Sequence, residues 1–281
     1  MLSVIYLILT VLLSTLRHLI SKKISCFPFG SRAFYFLQGV IFFSGAVLLA
    51  PFCCGFPSLT TVVLAVIYGT VLICAQYFYT AALSIGDVSI CATVYSLGFV
   101  IPTLSGALFW NEKLTSFKVI GILAAIFAVL LSGTKKEMQK KRGYYTPLII
   151  SMVSSGALGV LQKLQQKLSG SSEAGKFVML AFLVAAVVSF LFLGFSCAKK
   201  EVNAVSFIKF AIIVGCCFGG CNLLNTLLAG RLPTAVFFPT LNISSIMLSV
   251  IMSILFFKEK ITRRKTIILA ISFLAILLLN I

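Results

Sequence analysis

Gln76, Tyr79 and Thr80 stand at spacing i, i+3, i+4 inside a long apolar run, and Asn222, Asn225 and Thr226 repeat that spacing inside another. A helix places residues three and four apart on one face, so each trio would form a polar stripe on an apolar helix. Amides and hydroxyls in hydrocarbon need partners and turn toward a neighbour or a cavity. Their chemistry is recognition: hydrogen bonds to a polar ligand, with the Tyr79 ring available for stacking. The plainer alternative is a bridge between helices, worth about 1 kcal/mol for each bond. Tyr95 and Asn242 are further candidates of this kind, with Ser96, Ser244 and Ser245 beside them. Pro102 and Pro239 interrupt the same runs, where they free backbone carbonyls or bend the helix.

The elements that must carry these residues follow from composition. The chain has 281 residues, is 60% hydrophobic and only 10% charged, and its mean hydropathy is +1.13. An average soluble domain is about 25% charged, so an ordinary water-soluble fold is excluded. A bilayer-spanning helix needs about 20 mostly apolar residues. Ten such runs recur between short clusters of Lys, Arg, Gly and Pro: 2–20, 33–51, 60–83, 89–110, 116–132, 146–164, 175–196, 204–229, 234–256 and 265–280. Continuous runs of this length predict helices, since barrel strands would alternate over about ten residues. The fold class is therefore an all-α integral membrane protein with ten transmembrane helices. The first run is too long for a cleavable signal peptide and passes without a small-residue site into Arg17, His18, Lys22 and Lys23.

The net charge of +17 suggests nucleic acid only for a soluble chain. In a membrane protein Lys and Arg gather on cytoplasmic loops, and such a face attracts anionic lipid head groups. The six acids, Asp87, Glu112, Glu137, Glu173, Glu201 and Glu259, all fall at helix ends or in loops. A carboxylate at the midplane, which proton-coupled export of cations requires, is missing from the pattern. A neutral, zwitterionic or mildly anionic ligand is expected. Glu112 and Glu259 read as helix-capping or topological features. Arg17 is expected to snorkel to the interface; His18, the single histidine, is a minor candidate for proton coupling.

Catalysis is not expected. An enzyme would need an activated nucleophile, an acid–base pair or metal ligands, and neither GxSxG nor HExxH occurs. Cys216, Cys217 and Cys221 lack the paired spacing of a zinc site and read as small packing residues. No Walker-type loop is present, and no cofactor or metal is expected. Gln162, Lys163, Gln165, Gln166 and Lys167, at the end of the sixth run, form either a polar mouth or the tail of a helix leaving the membrane.

A repeated phrase sets the organisation. FWNEKLTSFK at 109–118 returns as FFKEKITRRK at 256–265, an offset of 147 residues. Phe109, Glu112, Lys113, Thr115 and Lys118 fall on Phe256, Glu259, Lys260, Thr262 and Lys265. This reads as a duplicated five-helix unit, residues 1–133 and 146–281, joined by a basic linker at 134–145. A unit with an odd number of spans enters the membrane from opposite sides in its two copies, which gives the inverted repeat of many secondary transporters. Gln76, Tyr79 and Thr80 then correspond to Asn222, Asn225 and Thr226 at an offset of 146, on opposite walls of a central chamber. Loops joining spans 1–2, 3–4, 5–6, 7–8 and 9–10 carry 17 of the 23 Lys and Arg. That bias places both termini outside the cytoplasm.

In PTLSGALFWNEKLTSFKVIGILAAIFAVLLSG, in its counterpart LSVIMSILFFKEKITRRKTIILAISFLAILLL, and in YTAALSIGDVSICATVYSL, the sequence resembles the EamA-like branch of the drug/metabolite transporter superfamily. The resemblance spans essentially the whole chain. It implies a ten-helix secondary carrier in which spans 3 and 8, with 1, 4, 6 and 9, surround a central chamber. The implied function is movement of a small polar metabolite, an amino acid or similar, by efflux and alternating access. A lipid-linked or sugar-bearing substrate is the alternative within that class, and an integral membrane enzyme the alternative outside it. Expected partners are the small-molecule substrate and membrane lipids, with no nucleic acid, for a monomer or homodimer in the plasma membrane of a bacterium. Family members usually keep both termini in the cytoplasm, where the charges here argue the reverse.

Overall fold

The computed structural model describes residues 2–53, 55–85, 88–112, 115–132, 145–196, 204–257 and 263–280. They form α1 (Leu2–Ile24), α2 (Arg32–Leu49), α3 (Leu59–Ile85), α4 (Val88–Leu97), α5 (Val100–Trp110), α6 (Ser116–Ser132), α7 (Tyr145–Leu168), α8 (Ala174–Phe195), α9 (Ile208–Arg231), α10 (Thr234–Phe257) and α11 (Arg263–Asn280). No strand occurs among the described residues. The helices match the apolar runs to within a few residues, because each run is bounded by residues that end a helix or must stay in water. The linker at 134–144 and Asp87, Lys113, Glu137, Glu201, Glu259, Lys260 and Thr262 lie outside the described residues.

The fourth run departs from a single helix. It divides at Gly98 and Phe99, whose amides bond to Tyr95 O at 3.2 Å and Ser96 O at 3.0 Å in tight i−3 turns. A Cβ on Gly98 would lie 2.6 Å from Met152 O and 2.9 Å from Gly156 N, both on α7. The backbones touch there, which only glycine permits. Pro102 sits in the first turn of α5, where its missing N–H costs nothing. Pro239, by contrast, lies inside α10 without dividing it, so the expected interruption occurs at Gly98 rather than at either proline.

A large buried apolar cluster lies where α2, α3, α8 and α9 meet. Phe34, Phe42, Tyr68, Phe177 and Phe182 fill this core, each at most 2% exposed. Gly215 and Gly219 of α9 face Ile41 O, Ser44 and Gly45 of α2, the close helix approach expected of small residues. A second core joins α1, α9 and α10 around Val11, Leu228, Phe237 and Phe238. The outer surface is also apolar: Ile5, Ile8 and Leu12 of α1 and Val63, Val66 and Ile67 of α3 are all exposed. Apolar side chains lining the outside of a packed bundle need a lipid solvent. Six segments among the described residues are long and apolar enough to cross a bilayer. The chain is an all-α protein of multi-pass membrane type.

Loop contacts sort the two ends of the bundle. At one end Glu173 accepts from Ser58 N at 3.2 Å and from Ser58 Oγ at 2.6 Å, and also bonds Thr61. These contacts cap α3 from the loop before α8. At the same helix end of α8, Lys176 donates to Phe56 O at 3.2 Å. At the opposite end of α8, Ser196 Oγ donates to Gly30 O at 2.9 Å and Arg32 Nε to Ser196 O at 2.9 Å. Lys22 there reaches Leu83 O at 2.6 Å.

Candidate functional site

A cavity of about 90 Å³ opens among α1, α4, α5, α7, α9 and α10, enough for several waters or a compact polar solute. From α1 it receives Ser14, Arg17 and His18; from the α4–α5 corner, Tyr95, Ser96, Phe99 and Pro102. From α7 it receives Ser155 and Gln162, and from α10 Asn242 and Ser245. Phe218, Cys221, Asn222 and Asn225 of α9 follow the spacing i, i+3, i+4, i+7 and form one wall.

Four of the eight sequence candidates therefore meet in one place: Tyr95, Asn222, Asn225 and Asn242. Asn222 is already engaged. Its Oδ1 accepts from Tyr68 Oη at 2.5 Å and from Gln162 Nε2 at 3.3 Å, and its Nδ2 donates to Phe218 O at 2.8 Å. Gln162 Nε2 also donates to Tyr68 Oη at 2.8 Å. This triad joins α3, α7 and α9 behind the cavity wall. Asn242 Nδ2 bonds back to Phe238 O at 2.8 Å. Asn225 differs, because its buried Oδ1 has no hydrogen-bond partner.

The other four candidates are not among the cavity-lining residues. Tyr79 is fully buried behind His18, with Tyr79 Oη and His18 Nδ1 2.5 Å apart. Thr80 faces α2, where Gln38 Nε2 donates to Thr80 Oγ1 at 3.0 Å, and Gln76 Nε2 donates to the same Thr80 Oγ1 within α3 at 3.4 Å. Thr226 Oγ1 bonds back to Asn222 O at 2.7 Å. Thr80 thus bridges two helices, whereas the Gln76 bond stays within its own helix. Their spacing showed a shared face and left open which neighbour that face would meet.

Arg17 corrects the sequence reading. It does not snorkel to an interface: it is 4% exposed, and it sits seven residues before the end of α1, roughly 10 Å at 1.5 Å per residue. Its guanidinium carbon lies 4.2 Å from the Phe218 ring centroid, 5.4 Å from Tyr95 and 5.7 Å from Tyr79. Three aromatic faces hold a cation that water would otherwise solvate. The sequence carried little signal of this, since the first apolar run ends at residue 20, less than a turn beyond Arg17; only the extension of α1 to Ile24 puts the side chain well inside the helix.

The tail of α7 is likewise built in. Gln162, Lys163 and Gln165 are buried, and Lys163 Nζ pairs with Glu112 at 3.0 Å. Glu112 also accepts from Thr234 N at 2.7 Å and Thr234 Oγ1 at 2.6 Å, capping α10 as a carboxylate at a helix N-terminus should. The capping role expected for Glu112 is present, although the capped helix lies in the other half of the chain. Partial burial raises the Glu112 carboxyl pKa, but the bonds from Thr234 and Lys163, with the lysine charge, outweigh it and hold the group below its ordinary value. Asn111 makes this possible by ending α5 in the left-handed region, φ 51°, which asparagine tolerates better than most residues.

Comparison with known proteins adds the fold alone. No family model matches the chain, and no curated protein matches it. Among solved structures, 28 chains match. One of them, described only as a crystal structure of a protein, superposes with a TM-score of 0.72 over 98% of this chain and 95% of its own, at 15% identity.

Proposed function

We propose that this chain is a secondary carrier for a small polar metabolite, an EamA-like member of the drug/metabolite transporter superfamily that works by alternating access. The observation carrying this reading is a polar cavity enclosed by helices from both halves of an otherwise apolar bundle. In the implied numbering the cavity is lined by spans 1, 4, 6, 8 and 9, with span 3 backing it through Tyr68. A cavity between halves is where carriers built from repeats hold their substrates.

The packing pattern supports the duplication. If each helix is exchanged for the one five spans away, α1 on α9 becomes α7 on α3, and α2 on α9 becomes α8 on α3; all four contacts exist. The pairs α2 with α8 and α6 with α11 map onto themselves, and both are close. Treating α4 and α5 as one crossing gives ten spans in two five-span halves. The loop contacts at the two ends of the bundle fit that alternation.

Among the described residues the cavity lining holds hydrogen-bonding groups and no Asp or Glu. This favours binding and release over bond-making, and disfavours a lipophilic cation as substrate. Counterflow in liposomes tests the proposal: protein is reconstituted with a mixed internal pool of amino acids and other metabolites, and entry of labelled members is followed with and without a pH gradient. Selective exchange of one class establishes the carrier. Correctly inserted, folded protein that exchanges none of them overturns it.

A further inference from the structure

We infer that Arg17 is the anchor for an oxyanion, carboxylate or phosphoryl, on a small substrate, and that Asn225 receives a hydrogen-bond donor on the same molecule. This rests on the carrier reading above and specifies its substrate class.

Two buried polar atoms on the cavity wall residues lack a hydrogen-bond partner: Arg17 Nε and Asn225 Oδ1. Most other polar groups there are engaged, such as Asn222 with Tyr68 and Gln162, and Ser14 with Ser245 at 2.9 Å. An unmade hydrogen bond in a buried place carries the full desolvation penalty of the group. A cavity whose wall residues carry one unpaired donor and one unpaired acceptor is therefore complementary to a ligand presenting one acceptor and one donor.

Charge sharpens the assignment. Among the described residues no carboxylate pairs with Arg17; the carboxylate that enters the bundle, Glu112, is held by Lys163 and Thr234 at the helix ends. The guanidinium instead rests on Phe218, Tyr95 and Tyr79. Aromatic faces stabilise a cation electrostatically while accepting no conventional hydrogen bond from Nε, so the Nε–H stays unpaired even though the guanidinium also hydrogen-bonds Tyr95. An oxyanion meets that N–H with a charge-assisted hydrogen bond. It would also supply the countercharge that a cation held in low dielectric lacks.

Position limits the ligand's size. Arg17 stacks on Phe218, and Asn225 stands seven residues further along α9, about 10 Å at 1.5 Å per residue. Both residues line one cavity of about 90 Å³, whose volume restricts a ligand that meets both to a compact molecule. A hydroxy acid, an amino acid or a small phosphorylated alcohol meets this description; a long amphiphile does not.

The test uses the full chain in nanodiscs of neutral phosphatidylcholine at fixed ionic strength. Lactate, lactamide, propionate and methyl phosphate are compared by the shift each gives in the thermal unfolding midpoint and by calorimetric titration. Lactate or methyl phosphate should raise the midpoint in a saturable way while lactamide does not, the responding anion separating the carboxylate class from the phosphoryl class. Arg17→Gln should weaken binding of the responding anion at least tenfold, and Arg17→Lys should recover part of it as a point charge. Asn225→Leu should weaken lactate, whose hydroxyl it loses, and leave propionate unchanged. Modification of Arg17 by phenylglyoxal in the unaltered protein, mapped by mass spectrometry, gives a readout independent of how the variants fold; the responding anion should protect it. Equal shifts from lactate and lactamide, no shift from any probe, or an Arg17→Gln variant that binds as the parent does would each overturn the inference. Arg17-dependent anion binding without exchange of any solute in liposomes would sink the carrier reading and leave the anion site standing. Exchange of uncharged solutes, undiminished in Arg17→Gln, would do the reverse.

Discussion

The guanidinium carbon of Arg17 lies 4.2 Å from the ring centroid of Phe218, so a cation on α1 is carried by an aromatic face on α9. A desolvated contact of this kind is worth up to about 2 kcal/mol. Phe218→Leu keeps the site apolar but removes the quadrupole. The expected outcome is a loss of roughly 1–2 kcal/mol in stability, combining that contact with reduced packing against Phe42 and Phe182. Phenylglyoxal should also modify Arg17 faster in the variant. Denaturation in mild detergent and timed labelling measure the two effects.

Asn222 and Asn225 occupy successive turns of one helix face, yet their variants should fail differently. Asn222→Ala leaves the buried Tyr68 hydroxyl without its acceptor on α9 and Gln162 with Tyr68 Oη alone, a penalty of about 1–3 kcal/mol for a stranded buried group. Asn225→Ala strands nothing, because Asn225 Oδ1 has no partner. Stability is therefore expected to fall for Asn222→Ala, and exchange in liposomes for Asn225→Ala with stability nearly unchanged. Alanine variants of both that fold and transport with parental affinity and rate would remove these asparagines from the site.

Much of the architecture was legible because hydrocarbon imposes length and composition on a helix, and those properties survive without tertiary information. The run at 116–132 and α6 share both limits for this reason. The division of the fourth run at Gly98 was not legible, since it depends on which backbone crosses there, and nothing near Gly98 names Met152 or Gly156. The same gap governs the site. The spacing of Gln76 and Thr80 put them on one face, but only packing decides that this face meets Gln38 of α2. Arg17 was misplaced because a long side chain near a helix end ordinarily reaches water, and the aromatic residues that make burial tolerable come from α3, α4 and α9.

Gly215 and Gly194 form a matched test of close packing. A methyl group at Gly215 would collide with Ser44 and with the backbone of Ile41, whereas nothing lies within 4 Å of the corresponding position at Gly194. Gly215→Ala should separate α2 from α9 and cost about 1–3 kcal/mol, as overpacking commonly does. Gly194→Ala should be neutral or add up to about 1 kcal/mol through helix propensity. Thermal unfolding of the two variants side by side measures both. Equal midpoints would show that the α2–α9 contact is not tight.

Glu112, Lys163 and Thr234 give the clearest dependence on pH. The Glu112 carboxyl is raised by burial but pulled further down by its bonds to Thr234 and Lys163, so its folded pKa lies below the ordinary carboxylate value, which is about 4.3 for glutamate. A depressed folded pKa means that the unfolded chain takes up the proton first as pH falls. The contribution is therefore complete at neutral pH, begins to fade near the unfolded pKa, and is gone once pH has dropped through the folded pKa. Glu112→Gln should lose stability at pH 7 and show a shallower decline than the parent on acidification below about pH 5. The pair is mostly buried, with side chains 8% and 15% exposed, so removing one partner should cost about 3–5 kcal/mol. The double replacement Glu112→Gln with Lys163→Met should cost less than the sum of the single ones, because it strands neither charge. Unfolding midpoints of the four proteins between pH 4 and pH 8 close that cycle, and additive losses with parallel pH profiles would show that the two side chains do not act as a pair.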